Sequence, residues 1–223
     1  MCDHALQRFA GTNRNFRQAR LRRHSIVFFF HRAVSLKANG GPKFIMPSNI
    51  EIKAILRNRP AAEAVAARLS NAGPKTFRQQ DFFFNCAGAR LKLRILAADH
   101  GELIRYERVD IADARRSTYL IARTSDPKIL LDILTATLGT AGVVRKMRTL
   151  YVIGQTRVHL DQVEGLGDFL ELEVVLQPAQ SEAEGRSIAA ALLTDFGIDE
   201  QQIVAEAYVD LLARRKEVVS TGV

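Results

Sequence analysis

Five segments of this chain alternate charge with hydrocarbon at every second residue. Asn49, Glu51 and Lys53 interleave with Ile50 and Ile52, and Arg90, Lys92 and Arg94 with Leu91, Leu93 and Ile95. Lys146 and Arg148 share one side of a later run. Arg157, His159 and Asp161 oppose Val158 and Leu160, and Glu171 and Glu173 oppose Leu170, Leu172 and Val174. A period of two belongs to a β-strand whose faces meet different media. Several of these faces carry one sign only, basic in two strands and acidic in another. A merely solvated face mixes signs or uses Ser and Thr.

The rest of the pattern supplies the other elements. Strands are predicted over 49–56, 76–86, 90–97, 102–109, 117–123, 143–153, 157–163 and 169–176, several joined by short glycine-bearing turns that suit antiparallel hairpins. Helices are predicted from Pro60 to before Gly73, from Asp126–Pro127 to Gly139, after the Ser181/Glu184 capping box, and around Tyr208 to Arg215. The predicted fold is α+β: an eight-stranded antiparallel closed barrel with helices packed outside.

Charge sharpens the division of the chain. Met1 to Ile45 holds nine of the 32 basic residues and one of the 24 acidic ones, so the formal charge of +8 resides there and the remaining 178 residues balance 23 against 23. That removes the support for a nucleic-acid groove spread over the fold. Residues 1–45 read as a basic extension, either an organelle transit peptide or the product of an upstream start with Met46 as the first residue, followed by a domain over 46–223. The expected location is cytoplasmic, or mitochondrial if the extension is a transit peptide. Two cysteines, Cys2 and Cys86, exclude a disulfide scaffold, and no apolar run reaches the ~20 residues of a membrane span.

If the sheet closes, the charged faces turn inward, where like charges require a ligand of opposite sign. The interior then holds seven cations (Lys53, Arg90, Lys92, Arg94, Lys146, Arg148, Arg157) and four carboxylates (Glu51, Asp161, Glu171, Glu173). A polyphosphate with divalent cations suits both sets: guanidinium and ammonium groups take the non-bridging oxygens, and carboxylates hold a hard ion.

The ordered segments NIEIK, QQD around Asp81, RLKLR, VVRKMR, RVHLD, GLGDFLELE and AYVDLL resemble the CYTH superfamily of triphosphate tunnel metalloenzymes, which includes class IV adenylyl cyclases and thiamine triphosphatases. The likeness covers nearly all of 47–213. It implies an eight-stranded tunnel that binds a triphosphate with Mg²⁺ or Mn²⁺. The family's first-strand signature ExExK falls on Asn49, Glu51 and Lys53, so its first Glu is an Asn here: one negative charge is lost and an oxygen donor is kept. Glu51, Lys53 and Asp161 are the catalytic candidates. Lys53, Arg90, Lys92, Arg94, Lys146, Arg148 and Arg157 are the substrate-binding candidates, and Glu51, Glu171 and Glu173 the metal ligands.

Three functions follow. The first is a metal-dependent hydrolase of inorganic, thiamine or nucleoside triphosphate; the second is a class IV-type adenylyl cyclase; the third, motivated by Asn49, is a non-catalytic triphosphate or polyphosphate binder. The expected partner is the small-molecule triphosphate, without nucleic acid or membrane, in a monomer or homodimer. His159 reads as a phosphate or structural contact, Tyr106 and Phe82–Phe84 as packing, and Cys86 as inert.

Overall fold

The computed structural model describes residues 48–107 and 115–221. The basic extension, and both readings of it, lie outside the described residues, as do positions 108 and 109 of the fourth predicted strand. The elements run β1 (Ser48–Ile55), α1 (Arg59–Leu69), β2 (Lys75–Phe84), β3 (Arg90–Ala97), β4 (His100–Glu107), β5 (Arg115–Thr124), α2 (Pro127–Leu138), β6 (Thr140–Ile153), β7 (Thr156–Val163), β8 (Gly167–Val175), α3 (Glu182–Asp195) and α4 (Tyr208–Thr221), with a 3₁₀ turn at Glu200–Gln202.

The chain is α+β, with eight antiparallel strands and four helices. Two meanders, β2 to β5 and β6 to β8, meet along β2/β6, and β1 joins their far ends: it pairs with β8 on one side and β5 on the other, giving a barrel in the order β1-β5-β4-β3-β2-β6-β7-β8. The β1/β8 register sets Glu51 against Glu173 and Lys53 against Glu171. The β1/β5 ladder is shorter, from Ser48↔Thr118 to Glu51↔Arg115.

Alternation sends hydrocarbon outward to the helices. Tyr151, Val158, Leu160, Leu170 and Leu172 pack with Ala62 and Ala66 of α1 and Leu192 of α3. Ile50, Ile52 and Val174 pack with Ala189 of α3. The close approach of α3 to β1 depends on Gly185, where an added Cβ would lie 2.8 Å from Ile50 Cγ1. Asn58 caps α1 by accepting from the Ala61 N–H, and the Ser181/Glu184 capping box starts α3 as predicted. The first helix stops at Ser70, short of Gly73.

The inner face has two layers. At one end Phe83, Ile104, Tyr106, Val144, Val163 and Phe169 form an apolar cluster that receives Tyr208 from α4, with Val209, Leu211 and Leu212 of the same helix packed against it. Toward the other end the inner face is charged. Ile104 and Tyr106 point inward, which settles the orientation of β4 that the sequence leaves open; Arg105 lies on the exposed side.

Candidate functional site

On the wall formed by β6, β7, β8 and β1, the register brings Arg148 opposite Asp161, Arg157 opposite Glu173, and His159 and Lys53 on either side of Glu171. Asp161 is fully buried and accepts from Lys146 Nζ at 2.7 Å, Arg148 Nε at 2.6 Å and Tyr208 Oη at 3.2 Å. Glu171 accepts from Arg148 Nη2, with Lys53 Nζ at 3.7 Å and Lys146 Nζ at 3.9 Å. Glu173 takes a two-pronged grip from Arg157, Nε to Oε2 at 2.7 Å and Nη2 to Oε1 at 2.5 Å, and its Oε1 also accepts from Asn49 Nδ2.

The facing wall, β2 to β4, repeats the scheme. Asp81 accepts from Lys92 Nζ at 2.8 Å, Arg94 Nε at 3.2 Å and Gln79 Nε2 at 3.1 Å. Glu102, fully buried, lies 3.8 Å from Arg94 Nη1 across the β3/β4 pair. The walls share one chamber: Lys146 acts electrostatically on Asp81 and Lys92, and Arg148 on Arg94.

The cations fix the ionisation of the acids. Burial alone would raise each carboxyl, yet Lys92 and Arg94 hold Asp81 well below the usual range, and Arg157 holds Glu173 at about 2. Lys146 and Arg148 keep Glu171 ionised in the same way. Burial, then the charge of Arg148, lowers His159 to about 4, so it is neutral near pH 7. Burial brings Lys92 down to about 8, against the pull of Asp81.

Most residues singled out in the sequence therefore line this chamber: Glu51 by register, and Lys53, Lys92, Arg94, Lys146, Arg148, Arg157, Asp161, Glu171 and Glu173 by contact. Arg90 does not join them. It sits at the end crossed by α4 and pairs with Asp210 of that helix at 2.8 Å. Asp81, Glu102 and Tyr208 are additions. Asp81 shares the parity of Gln79 and Phe83, a signal present in the sequence, whereas nothing in the pattern of β4 marks Glu102 as inward. With Asp81 and Glu102 included, six carboxylates interleave with six cations in the middle of the barrel, so the expected cation excess is not found in this set.

Whether the chamber fits a divalent cation turns on its free oxygens. Glu171 and Glu173 are engaged by guanidinium groups, and among the described residues no three His, Cys, Asp or Glu side chains converge as a metal site. As it stands, the arrangement does not fit Mg²⁺ or Mn²⁺, which require several oxygen ligands around one point. In the chamber Asn49 Oδ1 and both carboxylate oxygens of Glu102 are buried and have no hydrogen-bond partner.

Three comparisons place the chain. No curated protein matches it. Among solved structures it is similar to the PH1012 protein of Pyrococcus horikoshii OT3, at 23% identity and a TM-score of 0.65 over 74% of this chain and 99% of that one. It is also similar to the PH1819 protein of the same organism, at 16% identity and 0.62 over 75% and 99%. HpAC1 from Hippeastrum, for which a dominant triphosphatase activity is described, aligns at 19% identity and 0.52 over 76% and 96%. These likenesses show the fold. The CYTH domain family model matches residues 48–208, from the first inner-face strand to the tyrosine that enters the barrel, and the chain belongs to that family.

Proposed function

We propose that the protein hydrolyses a triphosphate compound inside the barrel. The observation that carries this reading is the convergence of Lys53, Lys92, Arg94, Lys146, Arg148 and Arg157 from β1, β3, β6 and β7 on one chamber. Six cations on rigid strands match a chain of phosphates whose charge is spread over many oxygens, and forked guanidinium donors suit non-bridging oxygens. The described activity of HpAC1 is consistent with the same chemistry.

In this reading the strands supply what phosphoryl transfer most needs, alignment and charge neutralisation. Water attacks the terminal phosphorus in line, the bridging P–O bond breaks, and orthophosphate leaves with a diphosphate compound. Arg148, Lys146 and Lys53 take charge on one side of the phosphate chain, and Lys92 and Arg94 on the other. Asp161, first a catalytic candidate, is a positioning residue here, since its oxygens are taken up by Lys146, Arg148 and Tyr208. Glu51, opposite Glu173 in the β1/β8 register, remains the catalytic candidate on β1. The resemblance implies Mg²⁺ or Mn²⁺ as cofactor, and no step is assigned to it.

The test is a panel of tripolyphosphate, thiamine triphosphate and ATP, each with Mg²⁺ and Mn²⁺, assayed for orthophosphate and cyclic nucleotide. Release of orthophosphate without cyclic AMP is the expected result. Cyclic AMP with pyrophosphate from ATP would replace hydrolase by cyclase. Tight binding of tripolyphosphate with no turnover, converted to turnover by Asn49→Glu, would establish the binder.

A further inference from the structure

The carboxylate of Glu102 is fully buried, and neither of its oxygens accepts a hydrogen bond. Its neighbours across the sheet are Arg94 and Arg123. Arg94 Nη1 stops 3.8 Å short, with Nε of the same guanidinium turned to Asp81, and Arg123 is exposed. The strand cannot carry Glu102 away, because at the preceding Gly101 an added Cβ would lie 2.7 Å from Pro127 Cβ, so the start of α2 presses directly on β4. A carboxylate offers acceptors and no donor, and burying it without donors is unfavourable. A ligand that brings donors to this point removes that cost.

The place of Glu102 in the barrel selects the donor. Tyr208 of α4 packs among Phe83, Tyr106 and Phe169 and closes one end, so a triphosphate enters from the other, its terminal phosphate first. Whatever is esterified to the α-phosphate trails behind. Glu102 lies four residues before Tyr106 on β4, opposite Arg94, which is farther from α4 than Lys92 on the same wall. An acid one step beyond the last phosphate-binding cation repels phosphate and meets the group bonded to it. A sugar diol presents two O–H donors there, and a carboxylate accepts both. Neither inorganic triphosphate nor the thiazolium ethyl ester of thiamine carries such a hydroxyl. In the same direction Phe77, Leu150 and Val152 share the inner face with Arg148, His159 and Arg157 by register. Phe77 and Leu150 are half-buried and Val152 is 44% exposed, an apolar surface for a base.

We propose that Glu102 is a specificity residue that accepts from the ribose hydroxyls, so that the chamber selects a ribonucleoside triphosphate over inorganic or thiamine triphosphate. This rests on the triphosphate reading above.

Calorimetry on the full chain in EDTA compares ATP, 2′,3′-dideoxy-ATP and tripolyphosphate. The wild type is expected to bind ATP at least about tenfold more tightly than the dideoxynucleotide, as for loss of charge-assisted hydrogen bonds. In Glu102→Met, which keeps the bulk and removes the acceptors, that ratio is expected to fall to within about twofold, while tripolyphosphate affinity rises. The lost charge acts on both nucleotides alike, so the ratio isolates the hydroxyls. Glu102→Ala gives the same reading if the Met variant does not fold. Equal binding of the two nucleotides by the wild type, an undiminished ratio in the variants, or binding of tripolyphosphate without ATP overturns the proposal and leaves the triphosphate reading intact. Failure of the wild type to bind any of the three, in EDTA or with Mg²⁺, overturns the triphosphate reading, and this proposal with it.

Discussion

The phenol of Tyr208, carried by the C-terminal helix, donates to Asp161 Oδ2 at 3.2 Å inside the barrel. The ring stacks edge-on to Phe169, with centroids 4.9 Å apart, and lies under the ammonium groups of Lys53 and Lys146 at 4.2 and 4.9 Å. Asp161 thus links α4 to Lys146 and Arg148, and without it those two buried cations are left with Glu171 as their shared carboxylate. Asp161→Asn is expected to lower the unfolding free energy by about 3 kcal/mol or more, as when one partner of a buried ion pair is removed. Tyr208→Phe, which loses one hydrogen bond and keeps the ring, is expected to cost about 1 kcal/mol. Urea unfolding checks both. An Asp161→Asn protein as stable as the wild type but inactive would return Asp161 to the catalytic residues.

Arg90 and Arg94 share a strand face and differ in what they meet. Arg94 is held between Asp81 and Glu102 in the chamber, whereas Arg90 pairs with Asp210 of α4. Arg94→Ala is therefore expected to lower tripolyphosphate affinity about tenfold or more, as for loss of a charge-assisted contact, and Arg90→Ala to leave it within about twofold. Calorimetry decides; equal losses would mean that phosphate reaches the α4 end of the barrel.

The alternation that placed Lys53, Lys92, Arg94, Lys146, Arg148 and Arg157 on inner faces is a local property, because neighbouring side chains on a strand point opposite ways. It was legible for that reason, as was the helix start at Ser181, whereas the first helix begins at Arg59 under an Asn58 cap, one residue before the Pro60 that the sequence marks. What alternation could not supply is which end of the barrel a residue occupies. Arg90 has the parity of Arg94 but lies four residues nearer α4, and the packing of α4 is a tertiary event. Glu102 was hidden because β4 combines Ile104 and Tyr106 inside with Leu103 and Arg105 outside, a mixture without a polar face. The pairing of Arg157 with Glu173 needed the β7/β8 register, which sequence parity does not fix.

Stability should fall with acidity in two overlapping windows. His159 is held at about 4 in the fold against about 6.5 in an unfolded chain, so between those values the unfolded state binds a proton that the folded state refuses, and stability is lost as pH drops from 6.5. Glu173, held at about 2 against a usual 4.5, contributes stability above pH 4.5 that is lost as pH falls toward 2. His159→Gln should flatten the upper window and leave the lower one. Denaturant unfolding at half-unit steps from pH 7 to 2 checks this; an unchanged slope between pH 6.5 and 4.5 in the variant would show that His159 is not held neutral.

Lys92 gives the anion site an alkaline limit. Its ammonium, 2.8 Å from Asp81 and 5.5 and 5.6 Å from the ring centres of Phe83 and Tyr106, is lowered by burial to about 8. A group that binds phosphate only when protonated loses that contribution as pH rises through its value in the free protein, so the affinity Lys92 contributes should decline above pH 8. Tripolyphosphate itself gains charge over the same range, so the comparison is with Lys92→Arg, which stays cationic throughout. The ratio of wild-type to Lys92→Arg affinity, measured by calorimetry from pH 7 to 9.5, is expected to be flat below pH 8 and to fall by up to about tenfold per unit above it, the slope of one proton. A ratio constant to pH 9.5 would place Lys92 outside the phosphate-binding set and leave Arg94 as the cation of that wall.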